Sequence, residues 1–403
     1  MAETKLYLCF EARNTKEESV YLIYSTKVSD LFGRGRPDDS RPVFTKEEII
    51  SGVSDMGCGL FNSKIILAGG VSVTGEGMKY NHGLVTYDTT TKNVADHEDF
   101  PNMRGRKVRP LVFEVSGRLY VLDTSNSAYK RSWEVFYPTP KVWARVSDPY
   151  CTLYNAPSGT KSEISGRTPY SWFICGPSFS IALPMDGLAY FHHARQLVKS
   201  FTGNSRRPLP FHGMAITYWN QGLSNVVVIS FSQGLVAGQG RVEGRQLRFI
   251  PFHLIEPQLI FKTDCYENPD GEVSSYFADW GNGKFCLTTF DNVNIHVYVF
   301  KLLRQEHADG TTSLVLKDLD NHKYTFNDFS VGGCTSVRLC GCFVLPNDDE
   351  AKRSEESKVY KNYFSGFELE GEDDDIPPLI QVGGEYKIDP DYDTDGPCSD
   401  LFQ

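Results

Sequence analysis

Short apolar runs alternate with polar turn residues along most of the chain. Between residues 65 and 137 these runs read IILAGG, GLVTYD, LVFEVSGRLYVLD and WEVFY, and residues rich in Gly, Asn, Thr and Pro separate them. Runs of this length with many Val, Ile, Leu and aromatic residues are typical of β-strands joined by tight turns. The N-terminal runs at residues 5–12 and 19–26 fit the same pattern. We therefore predict an all-β chain made of many short strands.

Two successive units follow the same order of strands and turns. The first has a strand that ends at Gly69-Gly70, a variable loop, a strand that ends at Tyr87-Asp88, and then Met103-Arg104 before the next unit. The second unit begins with the strand at Leu119 and closes with an outer strand that contains Trp143. This order resembles the kelch repeat, a unit of about 50 residues that forms one four-stranded blade of a β-propeller.

The resemblance implies a kelch-type β-propeller, and the strand rhythm continues beyond the two clear units. Further strands of this kind begin near residues 187, 225, 284 and 339. We predict six blades, with seven as the alternative. Because an open ring would leave unpaired sheet edges, we expect the N-terminal strand Leu6–Phe10 to close the ring against the strand at Cys340–Leu345.

The net charge of the chain, -10, is concentrated at the C-terminal end. Residues 347–403 contain 17 acidic and 5 basic residues, so they carry -12 and residues 1–346 carry about +2. We predict a propeller over residues 1–346 and an acidic, partly disordered tail over residues 347–403, because the tail has few apolar residues to bury. The nearly neutral body lacks the concentrated basic face that nucleic-acid binding requires.

The N-terminus and the cysteines are typical of a protein from a reducing compartment. No apolar stretch is long enough to span a membrane, and charged residues interrupt the first 13 positions, where a signal peptide would need an apolar core. The ten cysteines are scattered, and most lie in apolar runs, which is typical of small buried side chains. We expect a monomer in the cytoplasm, with the nucleus as the alternative, and no membrane partner.

Two clusters have residue types that bind metals but lack the matching spacing. His192 and His193 are adjacent at the end of a strand-like run, so their side chains point to opposite faces. Cys340 and Cys342 share one face, but no second cysteine pair with zinc-ligand spacing accompanies them. We interpret the histidines as one buried and one exposed side chain, and the cysteines as part of the packed core.

Two classes of propeller enzyme provide a further comparison. The chain resembles plant specifier proteins, free-standing kelch propellers that hold iron with a Glu-x3-Asp-x3-His motif. Asp318 and His322 match the last two positions of that motif, but Leu314 stands where the Glu would be. Galactose oxidases share the propeller architecture and hold copper with a cross-linked Cys–Tyr pair, and we identify no such site in this sequence. We therefore predict no cofactor and no metal.

Arginines and aromatic residues near predicted turns are the candidate ligand-binding residues. Arg104 and Arg106 lie where a kelch chain crosses from one blade to the next, and the resemblance implies that arginines there face the central funnel. A guanidinium group offers several fixed donors to a carboxylate. Tyr276 and Trp280 fall in a predicted loop, and aromatic residues at loop ends often form contact surfaces. The alternatives are ion pairs on the rim for the arginines and packing between blades for the aromatic residues.

The sequence indicates function less directly than fold, because propellers host unrelated activities. The sequence has no glycine-rich phosphate loop that opens a helix and no Gly-x-Ser-x-Gly nucleophile motif. We predict a free-standing propeller that binds a protein partner or a small-molecule ligand through its loop face and central funnel. The alternative is a metal-independent enzyme, of the isomerase, cyclase or lyase type, in plant small-molecule specialised metabolism.

Overall fold

The structure is a computed structural model. It describes residues 4–14, 18–31, 42–74, 77–96, 100–115, 117–123, 133–146, 171–175, 178–183, 187–192, 197–201, 213–218, 226–231, 235–243, 246–251, 254–255, 274–281, 283–290, 294–306, 312–325, 329, 334–345, 379–382 and 385–388.

Antiparallel strands that follow one another along the chain make up nearly all of the described structure. The first group comprises β1 (Lys5–Asn14), β2 (Ser19–Lys27), the four-residue helix α1 (Val28–Leu31) and β3 (Thr45–Gly52). The second comprises β4 (Gly57–Phe61), β5 (Lys64–Ala68), the hairpin strands β6 (Val71–Thr74) and β7 (Gly77–Tyr80), β8 (Leu84–Asp88) and β9 (Val94–Asp96). The third comprises β10 (Leu111–Val115), β11 (Arg118–Leu122), β12 (Trp133–Tyr137) and β13 (Val142–Val146).

The remaining strands continue the same arrangement. The fourth group comprises β14 (Ser171–Cys175), β15 (Ser178–Leu183), β16 (Gly187–His192) and β17 (Leu197–Phe201). The fifth comprises β18 (Gly213–Tyr218), β19 (Val226–Phe231), β20 (Leu235–Glu243) and β21 (Gln246–Pro251). After them come β22 (Leu254–Ile255), β23 (Ser274–Gly281), β24 (Lys284–Phe290), β25 (Asn294–Glu306), β26 (Thr312–Thr325), β27 (Cys334–Leu345), β28 (Leu379–Val382) and β29 (Glu385–Ile388).

Consecutive strands pair into antiparallel meanders whose first strands lie side by side. The sheet orders β4-β5-β8-β9 and β10-β11-β12-β13 each form a four-stranded meander, and β23 to β26 form another with β22 added at its outer edge. The first strands of neighbouring meanders are in contact, as in the pairs β4 with β10, β18 with β23, and β23 with β27. β14 and β18 are hydrogen-bonded in parallel, so two meanders share one sheet. The arrangement is all-β and propeller-like.

The two ends of the described body meet in one sheet. Its order is β27-β1-β2-β3, so the N-terminal strand β1 lies between the last long strand and β2. In the register Leu6 lies opposite Val344 and Leu8 lies opposite Cys342. The predicted pairing of the N-terminal strand with the strand at Cys340–Leu345 is therefore confirmed.

Burial on both faces explains why the N-terminal strand is almost continuously apolar. Leu6, Leu8 and Phe10 pack in one cluster that includes residues of β23, β24 and β25. Tyr7 and Cys9 point to the other face and pack in a cluster that includes residues of β5 and β8. Successive residues of a strand alternate between faces, so a strand covered on both faces needs apolar residues at consecutive positions.

The predicted strand positions are occupied by strands, and several of these lie in the interior of their sheets. The run at Gly187 is β16, the third strand of its meander, and the runs at Ile65 and Leu119 are second strands. Second and third strands have a neighbour on each side, which favours the apolar runs that the sequence displays. The first strands, such as β4 with the sequence GCGLF, are less apolar, so their sequence signal is weaker.

Part of the C-terminal segment is described. Within residues 347–403, where the sequence predicts an acidic and partly disordered tail, β28 and β29 form an antiparallel hairpin. β29 contacts β13, the outer strand of the third group. The rest of the predicted tail lies outside the described residues. In the described parts of the chain no helix is long and apolar enough to cross a membrane.

Deletion of residues 1–12 should cause aggregation. β1 is hydrogen-bonded along both of its edges, to β2 and to β27. Its loss would expose two unpaired strand edges and the apolar surfaces on both of its faces. Size-exclusion chromatography and thermal unfolding of the truncated chain would test this, and a soluble, cooperatively melting truncation would contradict it.

Candidate functional site

Three connections between strands are joined by backbone hydrogen bonds into one continuous surface, which we call the connection face. It comprises residues 53–56 before β4, residues 69–74 and 77–83 between β5 and β8, and residues 100–110 before β10. The amide of Val71 donates to the carbonyl of Ser54 over 2.7 Å, and the amide of Gly70 donates to the carbonyl of Lys107 over 2.9 Å. The amide of Arg109 donates to the carbonyl of Asp55 over 2.8 Å. The connections therefore position one another.

The double glycine of the repeat permits this close approach. Gly69 and Gly70 have φ angles of +71° and +95°, a region that residues with a side chain rarely adopt. A Cβ atom at Gly69 would lie 2.9 Å from the carbonyl oxygen of Lys107, and one at Gly70 would lie 2.7 Å from that of Ser54. The glycine pair is thus required by the packing of three backbone segments at the connection face.

A buried ion pair lies beneath the loop of residues 103–109, which we call the basic loop. The Nζ atom of Lys107 lies 2.6 Å from Oε1 of Glu134 in β12, and the two side chains are 0% and 2% exposed. The same carboxylate accepts hydrogen bonds from the amide of Gly105 over 2.7 Å and from the amide of Arg104 over 3.0 Å. The loop therefore folds around the Glu134 carboxylate. Burial lowers the pKa of Lys107, and the negative charge of Glu134 opposes that shift.

The two predicted arginines lie on the exposed side of the basic loop. Both Arg104 and Arg106 are exposed, whereas the side chain of Lys107 in the same loop is buried. The guanidinium of Arg106 lies 4.7 Å from the ring centroid of Tyr80 in β7, which is within the range of a cation–π contact. The structure thus joins Arg106 to an aromatic residue that the sequence did not single out.

A second group of charges forms a ladder in which arginines and carboxylates alternate. Its order is Arg338, Glu11, Arg13, Asp55 and Arg109. The Nη2 atom of Arg338 lies 2.7 Å from Oε2 of Glu11, and its Nε atom lies 3.0 Å from the same oxygen. Arg13 donates to Oε1 of Glu11 over 3.2 Å and to Oδ1 of Asp55 over 2.8 Å. The Nε atom of Arg109 donates to Oδ1 of Asp55 over 2.6 Å.

The central carboxylate of this ladder is almost fully enclosed. The Glu11 side chain is 2% exposed, and it also accepts hydrogen bonds from the Ser19 hydroxyl and the Asp55 amide. Burial alone would raise the pKa of Glu11, but the charge of Arg338, the Asp55 amide and Arg13 together lower it. The pKa of Asp55 is also lowered, because Arg109 and Arg13 outweigh the effect of burial. Both carboxylates are therefore ionised in the folded protein at neutral pH.

Tyr276 and Trp280 lie in a strand, which corrects the prediction that they occupy a loop. Both belong to β23, which pairs with β24 along its length. Both are half-buried and pack against the apolar cluster that contains β1 residues. The Nζ atom of Lys284 lies 5.0 Å from the Trp280 ring centroid. The strand continues to Gly281, close to the positive-φ turn residue Gly283.

Most of the charged residues in and beside the connection face were not predicted from the sequence. They are Glu11, Arg13, Asp55, Lys107, Arg109, Glu134 and Arg338. Two of them had a usable signal, because Glu11 and Glu134 interrupt the apolar runs LYLCFEA and WEVFY. A carboxylate inside a strand that is otherwise apolar must be paired when the strand is buried. Among the residues that the structure describes, no group of three or more His, Cys, Asp and Glu side chains is arranged to hold a metal ion.

Comparisons with known proteins give limited similarity. Residues 35–167, less than half of the chain, match a family described as "Protein of unknown function (DUF1668)". The matched segment contains the basic loop. That family is not the kelch family, so the kelch relationship stays a prediction. No curated protein matches the chain.

Two solved structures are similar over most of the chain but only at a low level. TolB from Acinetobacter baumannii has a TM-score of 0.40 and 9% identity, with coverage of 85% of this chain and 67% of that protein. YjhT has a TM-score of 0.39 and 8% identity, with coverage of 84% of this chain and 99% of that protein. Similarity at this level decides neither fold nor function.

Removal of the buried Lys107 amine should destabilise the protein strongly. Lys107→Met would leave the Glu134 carboxylate buried without its cation, which typically costs about 3–5 kcal/mol. Lys92 provides a matched control, because its Nζ atom lies 2.7 Å from Glu47 but its side chain is 42% exposed. Lys92→Met should cost about 0–1 kcal/mol. Urea unfolding of both variants measures the difference, and equal losses would show that the environment of Lys107 is not special.

Acid should weaken the protein partly through Glu11 and Asp55. Their pKa values are lowered in the folded state from ordinary values of 4.5 and 3.8. Their stabilisation is therefore complete above the ordinary range and is lost as pH falls below about 4.5 through the folded pKa values. Glu11→Gln should be less stable at pH 7 but should lose less stability between pH 5 and pH 3. Parallel pH profiles of unfolding free energy for parent and variant would contradict this assignment.

Proposed function

We propose that the chain is a six-bladed, kelch-type propeller, closed as a ring through β1 and β27, that acts as a binding module. Its connection face carries the binding surface, and the partner presents acidic groups, most simply as an acidic segment of another protein. The pairing of β1 with β27 and the contacts between first strands support the ring.

The observation that carries the binding function is the rigid presentation of two arginines. Glu134 holds the basic loop through two backbone amides and Lys107, so the backbone that carries Arg104 and Arg106 is fixed from below. An ion pair buried this deeply is seldom the most stabilising choice for a protein interior. Its value here lies in the geometry that it imposes on the loop above it. Loops positioned by a rigid scaffold are the usual place for recognition.

The chemistry of this surface favours a carboxylate-bearing partner. Arginine presents a planar fork of donors that matches a carboxylate, and such charge-assisted bonds are stronger than neutral ones. The contact with Tyr80 restricts Arg106 before binding, so less side-chain entropy is lost when a partner binds.

Binding fits the described face better than acid–base catalysis does. The carboxylates of Glu11, Asp55 and Glu134 each accept two or more hydrogen bonds from cationic side chains and backbone amides. These bonds stabilise the ionised form, and the groups hold backbone segments in place. A catalytic acid or base at neutral pH would instead need a pKa near 7.

A peptide library displayed against the full-length chain tests this function. We expect selected peptides to be enriched in Asp and Glu. For one selected peptide, Arg106→Ala should weaken binding by about ten- to a hundredfold, the equivalent of one charge-assisted contact of about 1.5–3 kcal/mol. Arg106→Lys should restore only part of the affinity, because the planar fork is lost.

The chain offers a closely matched control for this substitution. Arg118 also lies over a tyrosine ring, 4.5 Å from the centroid of Tyr137. It stands at the β10–β11 turn, whereas the basic loop precedes the other end of β10. Arg118→Ala should leave peptide affinity unchanged. Peptides without acidic enrichment, or equal losses from Arg106→Ala and Arg118→Ala, would reject the proposed surface.

A further inference from the structure

We propose that the acidic partner binds as an extended strand that pairs with the open edge of β7. The inference rests on the proposed function, because it takes an acidic protein segment as the ligand, and it states the form in which that segment is recognised. When a strand is added to a sheet in this way, backbone hydrogen bonds supply the affinity and side chains at alternate positions supply the specificity.

The hairpin of β6 and β7 has one covered edge and one open edge. It forms a separate two-stranded sheet within the connection face. The outer edge of β6 is covered by the first connection, because Val71 forms a bridge with Ser54 and donates its amide to the Ser54 carbonyl over 2.7 Å. Among the described residues β7 pairs only with β6. The far side of β7 is therefore the edge at which a further strand can pair.

The bonds across the hairpin show which backbone groups of β7 face away from β6. The carbonyl of Lys79 accepts a hydrogen bond from the Ser72 hydroxyl of β6 over 3.3 Å, so it points toward β6. Backbone direction alternates along a strand, so the amide and carbonyl groups of Met78 and Tyr80 point to the open edge. Val71, which lies opposite Tyr80, likewise directs its amide away from its partner strand. Within the described part of the chain, no bond from a neighbouring loop occupies these four groups of β7.

Basic side chains beside the open edge favour an acidic strand. Lys79 lies between the two residues that face this edge and is exposed, so an added strand would place one of its side chains directly beside it. Arg106 lies 4.7 Å from the ring centroid of Tyr80. The basic loop also meets the chain just beyond β7, where the amide of Met103 donates to the carbonyl of His82 over 2.8 Å. An added strand would therefore run close to the basic loop.

Charge also separates β7 from other edge strands and from pairing with itself. β3 and β9 lie at the edges of their sheets. β3 contains Glu47 and Glu48, and β9 contains Asp96, whereas β7 contains Lys79 and no acidic residue. A second copy of the chain fits the edge less well than an acidic segment does, because pairing two β7 strands would bring the basic residues of both chains together. The occupant is therefore an acidic segment of another protein.

The probe is a synthetic peptide that alternates Val and Glu over about eight residues, the length of an ordinary strand. Its binding to the full-length chain is measured by fluorescence polarisation. We expect this peptide to bind, and we expect a peptide of the same length that alternates Val and Lys to bind at least about tenfold more weakly, because it carries the same charge as the edge.

Two N-methylated versions of the Val–Glu peptide test the backbone pairing directly. One version has methyl groups on the Val amides and the other has them on the Glu amides. Only alternate amides of an added strand face β7. One version should therefore lose about tenfold or more in affinity, whereas the other should bind about as well as the unmodified peptide. With Glu opposite Lys79, a loss on Val methylation indicates an antiparallel strand, and a loss on Glu methylation indicates a parallel one.

A charge reversal locates the peptide on the protein. Lys79→Glu replaces an attraction by a repulsion and should weaken binding of the Val–Glu peptide by about three- to tenfold. Lys46→Glu is the matched control, because Lys46 is also an exposed lysine in an edge strand, β3. It should bind the peptide as the parent does.

The proposal is overturned if the Val–Glu peptide does not bind at millimolar concentration, if both methylated versions bind equally, or if Lys79→Glu and Lys46→Glu have equal effects. A dimer of the parent chain that the peptide dissociates in sedimentation would also overturn it, because a second copy would then occupy the edge. Library peptides that are acidic and depend on Arg106 but are indifferent to the position of methylation would reject strand addition alone. The absence of acidic enrichment in the library would reject the proposed function itself.

Discussion

The carboxylate of Glu11 is the group on which the arrangement of the first sheet and the connection face depends. It lies in the N-terminal strand, yet its partners include Arg338 of the last long strand and the Asp55 amide of the first connection between sheets. A carboxylate removed from water costs several kcal/mol unless it is paired and hydrogen-bonded. The buried position is therefore tolerable only when β1, β27 and the Asp55 connection are all in place. This makes the two ends of the described body interdependent.

Glu134, in the third group of strands, plays the same part as Glu11 does in the first. It is a second carboxylate inside an apolar strand, and it binds the connection that enters its own sheet through Lys107 and two amides. In both cases a buried carboxylate accepts hydrogen bonds from cationic side chains and from the backbone of an irregular segment. Irregular backbone needs such partners, because buried amide groups without acceptors are costly. The connection face is consequently rigid even though it consists of loops.

The arginines in and beside the connection face are of two kinds. Arg13, Arg109 and Arg338 are fixed by carboxylates and define the shape of the face. Arg104 and Arg106 are exposed on the basic loop, which Glu134 holds through two backbone amides and the Lys107 amine. The first kind fixes the shape of the connection face, whereas the second offers accessible charge.

The sequence by itself determined the all-β class and the N-terminal strand, since apolar periodicity and turn residues act over a few positions. It also predicted the pairing of that strand with the last long strand, because the kelch resemblance implies a closed ring. Only the tertiary structure decided that Glu11 pairs with Arg338, which is 327 residues away, or that Lys107 is buried while Arg104 and Arg106 are exposed. It also placed Tyr276 in a strand rather than a loop. A charge in a sequence does not reveal its partner, because pairing depends on which strands become neighbours when the sheets assemble.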